Sequence, residues 1–307
     1  MITHYFRTVK DGELKVTDES RTGTWTHAVS PTKEEIQILI KEYALDASIV
    51  EDITDFFEVP RFERSSGVLY FFLRYPFDVK DEDIDTAPLL IVMGESFVLT
   101  IGQREVPFLE RFISGKESVV TTQKTKLFIQ FMATLTSAFD MELTGMRRAV
   151  YRDRTRVRDI KGRDIQRLVS DEHHLNDIIA AVVPTNAWLQ QLTTGNFIQL
   201  YNEDVALMED LMIANSQLID SAKSILKTIQ NIRNATEAIL TQKLNNTIQT
   251  LTALTIILTI PTIVASLYGM NVPLPLAGHP YSFWLVLVFI VTVVALVAHF
   301  FRQKRWF

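Results

Sequence analysis

The chain has 307 residues, a net charge of −5 and no cysteine, which excludes a disulfide framework and a thiolate metal site. Its charge is unevenly spread: residues 244–301 contain no Asp, Glu, Lys or Arg, and setting aside the three positive charges of Arg302, Lys304 and Arg305 leaves about −8 for the part before that block. An acidic soluble part argues against nucleic acid as the main partner and is compatible with divalent cations.

The opening residues, MITHYFRTVKDGELK, hold no apolar core and do not read as a signal peptide, so the N-terminal part is expected in the cytosol. HYFRTV (4–9) and TWTHAV (24–29) read as short strands, and Ser30-Pro31 is expected to open a helix with Pro at its first position. GVLYFFLRYPFDV (67–79) and PLLIVMGESFVLTIG (88–102) are continuous apolar runs bounded by turns, as in well-covered strands, with a hairpin turn at Gly94-Glu95-Ser96. Residues 1–120 are therefore expected to form an α+β domain of the α/β/α kind.

Beyond Thr122 the strand signal ends. Two helical patterns, 122–160 and 164–192, flank Gly162 and read as an antiparallel helical hairpin, giving a second segment over 121–196. After the break in QQLTTGNF (190–197), a helix is expected from about Phe197 with no Pro or Gly until Pro261. Its length would be roughly 100 Å at 1.5 Å per residue, a stalk over 197–250 continuous with a membrane segment. Leu207, Leu211, Ala214, Leu218, Ala222, Ile225, Ile229, Ile232 and Ile239 follow a three-four spacing and are expected to be its buried seam.

A second three-four series runs Asp210, Ile213, Gln217, Asp220, Ser224, Lys227, Asn231, Asn234, Ala238, Thr241 and continues as Asn245, Ile248, Thr252, Thr255, Thr259, Thr262, Ser266. The later part lies among Leu, Ile, Val and Ala, in a segment (251–270) with the ~20 residues needed to cross a bilayer. FWLVLVFIVTVVALVAHFF (283–301) is a second span, and Tyr281, Trp284 and Trp306 fall at expected interfaces. The connecting loop, 271–282, has no Lys or Arg, whereas Arg233, Lys243 and the tail 302–307 are basic, so both termini are expected inside and the loop outside. Two readings of the threonine series compete: helix–helix packing, or the wet lining of a symmetric oligomer in which each copy gives its first span to the axis. Hydroxyl and amide groups suit a cation that keeps much of its water, as Mg²⁺ does.

Tyr268-Gly269-Met270-Asn271 closing the first span, with PTIVAS before it and a short uncharged loop, a second span and a basic-aromatic tail after it, resembles the CorA magnesium transporter family. The resemblance covers the whole plan of the chain and implies a homopentameric funnel in the plasma membrane, Mg²⁺ as both cargo and regulator, and no organic cofactor. It implies a selectivity filter at Gly269, Met270 and Asn271, a polar ring at Asn245, and a constriction at Ile248 and Leu251. Thr255, Thr259 and Thr262 fall on the implied pore wall. Leu251 and Thr252 compete for the axial position, the first by resemblance and the second by spacing. Arg302, Lys304 and Arg305 form the implied basic ring at the cytosolic mouth. The outer loop lacks the glutamate often found soon after the Gly-Met-Asn triplet, and the hairpin tip, RRAVYRDRTRVRDIKGR, is arginine-rich where an acidic segment is expected. Contact of that tip with anionic lipid competes with a solvated helix laced with pairs through Asp153, Asp159 and Asp164.

Candidate regulatory metal ligands are Asp210, Asp220 and Glu203 on the stalk, with Asp204 and Glu209 nearby, and Asp81 and Asp83 in DVKDEDID (78–85). The last stretch is not a calcium loop, since it lacks the required glycine and has Val92 at the twelfth position. His173-His174, His279 and His299 do not form a ligand set, and no catalytic constellation stands out, so an enzyme is not expected. The alternatives to a Mg²⁺ channel are a zinc, cobalt or nickel transporter of the same superfamily, against whose zinc branch Met270 speaks, and a membrane-anchored sensor that conducts nothing.

Overall fold

The apolar runs of the N-terminal third form the middle of a seven-stranded sheet, seen in a computed structural model that describes residues 1–77, 86–155, 160–194, 197–198, 200–272, 280–304 and 306. The strands are β1 (Ile2–Phe6), β2 (Lys15–Thr17), β3 (Thr24–Val29), β4 (Arg61–Ser65), β5 (Val68–Pro76), β6 (Thr86–Met93) and β7 (Phe97–Gly102). Their spatial order is β2-β1-β3-β7-β6-β5-β4. Only β3 and β7 pair in parallel; β6 and β7 form the hairpin expected around Gly94-Glu95-Ser96. The helices are α1 (Lys33–Glu42), α2 (Ala47–Glu51), α3 (Glu110–Ile113), α4 (Lys124–Thr155), α5 (Gly162–Thr194), α6 (Asn202–Tyr268) and α7 (Ser282–Gln303). The chain divides into two compact units, Met1–Ile232 and Arg233–Phe307.

Both faces of the sheet are covered, which is why β5 and β6 are apolar without alternation. Along β5, Leu69, Phe71, Leu73 and Tyr75 join one core with α4, α5 and the first part of α6, while Tyr70 and Phe72 join the other with α1 and α2. The first unit is thus an α/β/α sandwich. The first helix starts later than Ser30-Pro31 suggested. Thr32 is its cap, accepting from the Glu35 N–H at 3.2 Å while the Glu35 carboxylate accepts from the Thr32 N–H at 2.9 Å. Ser30 is held by the end of β7 instead, its hydroxyl donating to the Gln103 carbonyl at 2.7 Å.

The long helix begins at Asn202, five residues after Phe197, because the Asp204 carboxylate turns back to accept from the Tyr201 N–H at 3.2 Å. Its seam is also one residue away from part of the expected row. Leu207 and Ala214 are exposed; Met208 and Asn215 are buried in their place. The observed row, Asp204, Met208, Leu211, Asn215, Leu218, Ala222, Ile225, Ile229 and Ile232, keeps an unbroken four-three spacing. A row drawn through apolar residues alone steps aside at Asn215, which lies in the core and accepts from the Thr136 hydroxyl of α4 at 3.2 Å. Near the tip of the hairpin, Arg167 of α5 reaches Asp153 of α4 at 2.6 Å and Asp164 at 3.7 Å; Asp159 lies outside the described residues.

His27 is a buried titratable group on β3. Its Nδ1 lies 2.7 Å from the Thr100 hydroxyl, which also accepts from the Trp25 indole at 2.9 Å. Burial pushes its pKa down to about 4, against a smaller upward pull from the Thr100 contact. The unfolded chain takes up this proton near pH 6.5 and the folded one does not, so the contribution is complete above pH 6.5 and lost as pH falls towards 4. The denaturation midpoint of the full chain in detergent should fall across that window by the equivalent of about 2–3 kcal/mol. His27→Gln should remove most of the slope; an unchanged slope would assign it to other groups.

Candidate functional site in the C-terminal unit

Two described helices are long and apolar enough to cross a membrane, the later part of α6 and the whole of α7. Each α6 backbone N–H is spent inside the helix, which is what hydrocarbon requires of a spanning segment. Pro261 lies within it and lacks the N–H that would bond the Ile257 carbonyl, yet the helix continues to Tyr268.

The residues of this part of α6 fall on two opposed faces. Ala253 is fully buried, and Ile257, Ile260, Pro261 and Val264 are half-buried, making one row. On α7 the matching less exposed row is Ser282, Val286, Ile290, Val293, Val294, Val297, Ala298 and Phe301. Asn245, Ile248, Thr252, Thr255, Thr259, Thr262 and Ser266 are all exposed. At about 100° per residue, the centre of this polar row lies about 160° around α6 from the covered row. Leu251 is also exposed and sits beside Thr252, so both border the same face.

The threonine hydroxyls share one geometry. Thr252, Thr255, Thr259 and Thr262 donate to the carbonyls of Ile248, Leu251, Thr255 and Leu258 at 2.8, 2.9, 2.8 and 2.9 Å. A hydroxyl whose proton is committed to the backbone keeps only lone pairs for what lies outside. The row is therefore uncharged and, at these four positions, accepting. Water bound to a cation presents its hydrogens outward, and such a surface can receive them.

The helix is closed by Gly269-Met270-Asn271. The Gly269 N–H donates to the Ala265 and Ser266 carbonyls at 3.0 and 3.2 Å, and the Met270 N–H to the Leu267 carbonyl at 3.3 Å. Asn271 follows, exposed. A Cβ added at Gly269 would stand 3.3 Å from the Ala265 carbonyl oxygen and 3.5 Å from that of Ser266, so the position requires close backbone approach. At the other end, Arg302 closes α7 and Lys304 caps it, both exposed; Arg305 lies outside the described residues.

The acidic candidates do not gather within one copy. Asp210, Asp220 and Glu203 are exposed, and Glu203 stands 4.0 Å from Lys126. Asp210 and Asp220 are ten residues apart on one helix, about 15 Å of rise, too far to share an ion. Asp204, considered near them, is buried and occupied by its capping bond. Asp81, Asp83 and His279 lie outside the described residues. Among the described residues no three His, Asp or Glu side chains come together as a metal site.

An α/β/α sandwich whose last helix runs on into the first of two helices apolar enough to cross a bilayer defines a class of membrane protein with a large domain outside the bilayer. The model of the CorA-like Mg²⁺ transporter proteins matches residues 20–304, and the chain belongs to the CorA family of divalent-cation transporters. Over 289 residues it is 23% identical to the cobalt/magnesium transport protein CorA of Methanocaldococcus jannaschii, covering 92% of this chain and 90% of that one. The complete structure of the CorA magnesium transporter from the same organism superposes with a TM-score of 0.87 at 21% identity, over 100% of this chain and 99% of the other. The full-length CmaX protein superposes with a TM-score of 0.77 at 18% identity, over 99% and 97%. These superpositions carry the fold.

Crowding at Gly269 is directly testable. Gly269→Ala should change stability by no more than about 1 kcal/mol, because the position is exposed and one tight contact must relax, and reduce cation flux, measured by denaturation in detergent and by uptake in proteoliposomes. Wild-type flux would mean the turn accommodates a side chain.

Proposed function

We propose that the protein is a channel for hydrated or partly hydrated Mg²⁺, formed by five copies that each place the Thr252–Ser266 face of α6 on a central axis. The single observation that carries this reading is the opposition of the two α6 faces. The polar row stays exposed on the side away from the covered row, with the Thr252, Thr255, Thr259 and Thr262 oxygens available as acceptors. Packing of the threonines against α7 of the same copy would have put them in the covered row.

In this reading a divalent ion enters past Asn271, whose amide accepts and donates hydrogen bonds without a charge that would trap the ion. It then passes rings of hydroxyl oxygens that bind its waters weakly enough for release, a fit for an ion that dehydrates reluctantly. Ile248 with Leu251 or Thr252 forms the narrow part, and Asn245 the inner polar ring. The Lys and Arg distribution around the spans supports both termini inside, and in the plasma membrane the ion would flow inward, down its electrochemical gradient. Cytosolic Mg²⁺ bound between the exposed acidic faces of adjacent stalks, through Asp210, Asp220 and Glu203, would favour the closed symmetric state by linkage. Cobalt is the second candidate cargo, since the curated relative is described as a cobalt/magnesium transport protein.

The test is uptake of Mg²⁺ into proteoliposomes with Co²⁺, Ni²⁺ and Zn²⁺ as competitors. Wild type should carry Mg²⁺, and Asn271→Ala should lose at least about ten-fold in flux, the equivalent of 1.4 kcal/mol, with its oligomer intact. Undiminished flux would remove Asn271 from the pathway, and no flux in wild type would favour a non-conducting anchor.

A further inference from the structure

Trp306 does not trail away from the second span. It turns back: its N–H donates to the Phe301 carbonyl at 3.1 Å, and its ring stacks on Phe301 with centroids 5.1 Å apart and planes 22° apart. The Trp306 carbonyl lies 3.2 Å from the Thr250 hydroxyl of α6, whose single proton it shares with the Asn246 carbonyl at 3.0 Å in a bifurcated bond. Phe301, 7% exposed, and Ala253, fully buried, are the buried hydrophobic side chains among the described residues of the C-terminal unit. Ala253 lies three residues beyond Thr250, on the same side of α6. The other large side chains of both spans are half-buried or exposed.

We propose that Trp306 is a positioning residue, a clasp that ties the end of α7 to α6 at Thr250 and so fixes the level at which the Lys304 charge stands beside the conduit wall. The inference rests on the reading of α6 as that wall. An ordinary interfacial tryptophan has its ring among lipid headgroups, and that role requires neither a stack on Phe301 nor a bond from Thr250. Lys304 lies between the two clasped residues, so its backbone is held at one level and its exposed ammonium ranges only as far as its own side chain reaches. The position of that charge matters because its effect on a passing cation decays over a Debye length, about 10 Å at 0.1 M salt. A charge held at one level raises the energy of a divalent ion leaving into the cytosol; a charge on a loose tail is spread out and screened.

The test uses the full chain in proteoliposomes and has one readout that does not involve transport. A nitroxide attached at Gln303→Cys reports tail motion. Trp306→Ala should mobilise it, Trp306→Phe should restore the immobile spectrum by keeping an aromatic stack, and Thr250→Val should give an intermediate one. In Mg²⁺ flux, Trp306→Ala and Lys304→Gln should each give an increase of about two-fold, the order expected of one partly screened charge. Their combination should give no more than either alone, because both remove the same held charge. An immobile probe in Trp306→Ala, or effects that multiply in the double variant, overturns the clasp. A probe that responds as expected while flux ignores Lys304 overturns the role given to its charge, whereas no flux in the wild-type chain overturns the conduit reading on which the inference rests.

Discussion

The constraint on which the proposed function of the C-terminal half depends is that a doubly charged ion cannot enter hydrocarbon bare, where the loss of its hydration costs far more than the tens of kcal/mol of a singly charged group. Each polar atom it meets must come from water or from the protein, and the protein has no charge to offer between Leu244 and Phe301. In the proposed channel one helix resolves this by dividing its surface. The row from Ala253 to Val264 is covered and apolar, while the row from Asn245 to Ser266 is exposed and carries amides and hydroxyls. Committing each threonine proton to a carbonyl one turn back leaves oxygens that accept, which is the polarity that a hydrated cation needs.

The same helix serves a different purpose in the N-terminal unit. From Asp204 to Ile232 its four-three row is buried in the core shared with α4, α5 and the sheet. Asn215 is the polar exception in that row, bonded to Thr136 and therefore tied to one register of α6 against α4. A single hydrogen-bonded helix thus contributes a core seam to one unit and an exposed polar face to the other. No preassembled cation site forms among the described residues of one copy. Exposed Asp210 and Asp220 acquire a role only through neighbouring copies, as the proposed regulation requires.

Much of this architecture was legible because it follows from periodicity and from the placement of charge. The two spans, the long helix and the β6–β7 hairpin are written in runs long enough to leave little choice. Smaller decisions were taken by capping and by buried polar groups. Thr32 outcompeted Ser30 because Glu35 could return its hydrogen bond. Asp204 looked like a metal ligand and is a helix cap. The seam was misdrawn at Leu207 and Ala214 because an asparagine was not expected in a core row, although strict heptad spacing from Met208 would have found it. At the Gly-Met-Asn turn, the resemblance pointed to the residues, while the reason for glycine, the nearby Ala265 carbonyl, is a matter of coordinates. Trp306 read as an interfacial aromatic, since a fold-back onto Phe301 leaves no periodic trace.

The central claim is that the threonine face of α6 borders water and the opposite face does not. The natural absence of cysteine makes the chain suited to single-cysteine accessibility mapping in the reconstituted oligomer. Cysteines at Thr252, Thr255, Thr259 and Thr262 should react with a membrane-impermeant thiol reagent and block flux when modified, whereas those at Ala253, Ile257, Ile260 and Val264 should remain unreactive. Equal protection of both rows, or reaction confined to the second, would contradict the account.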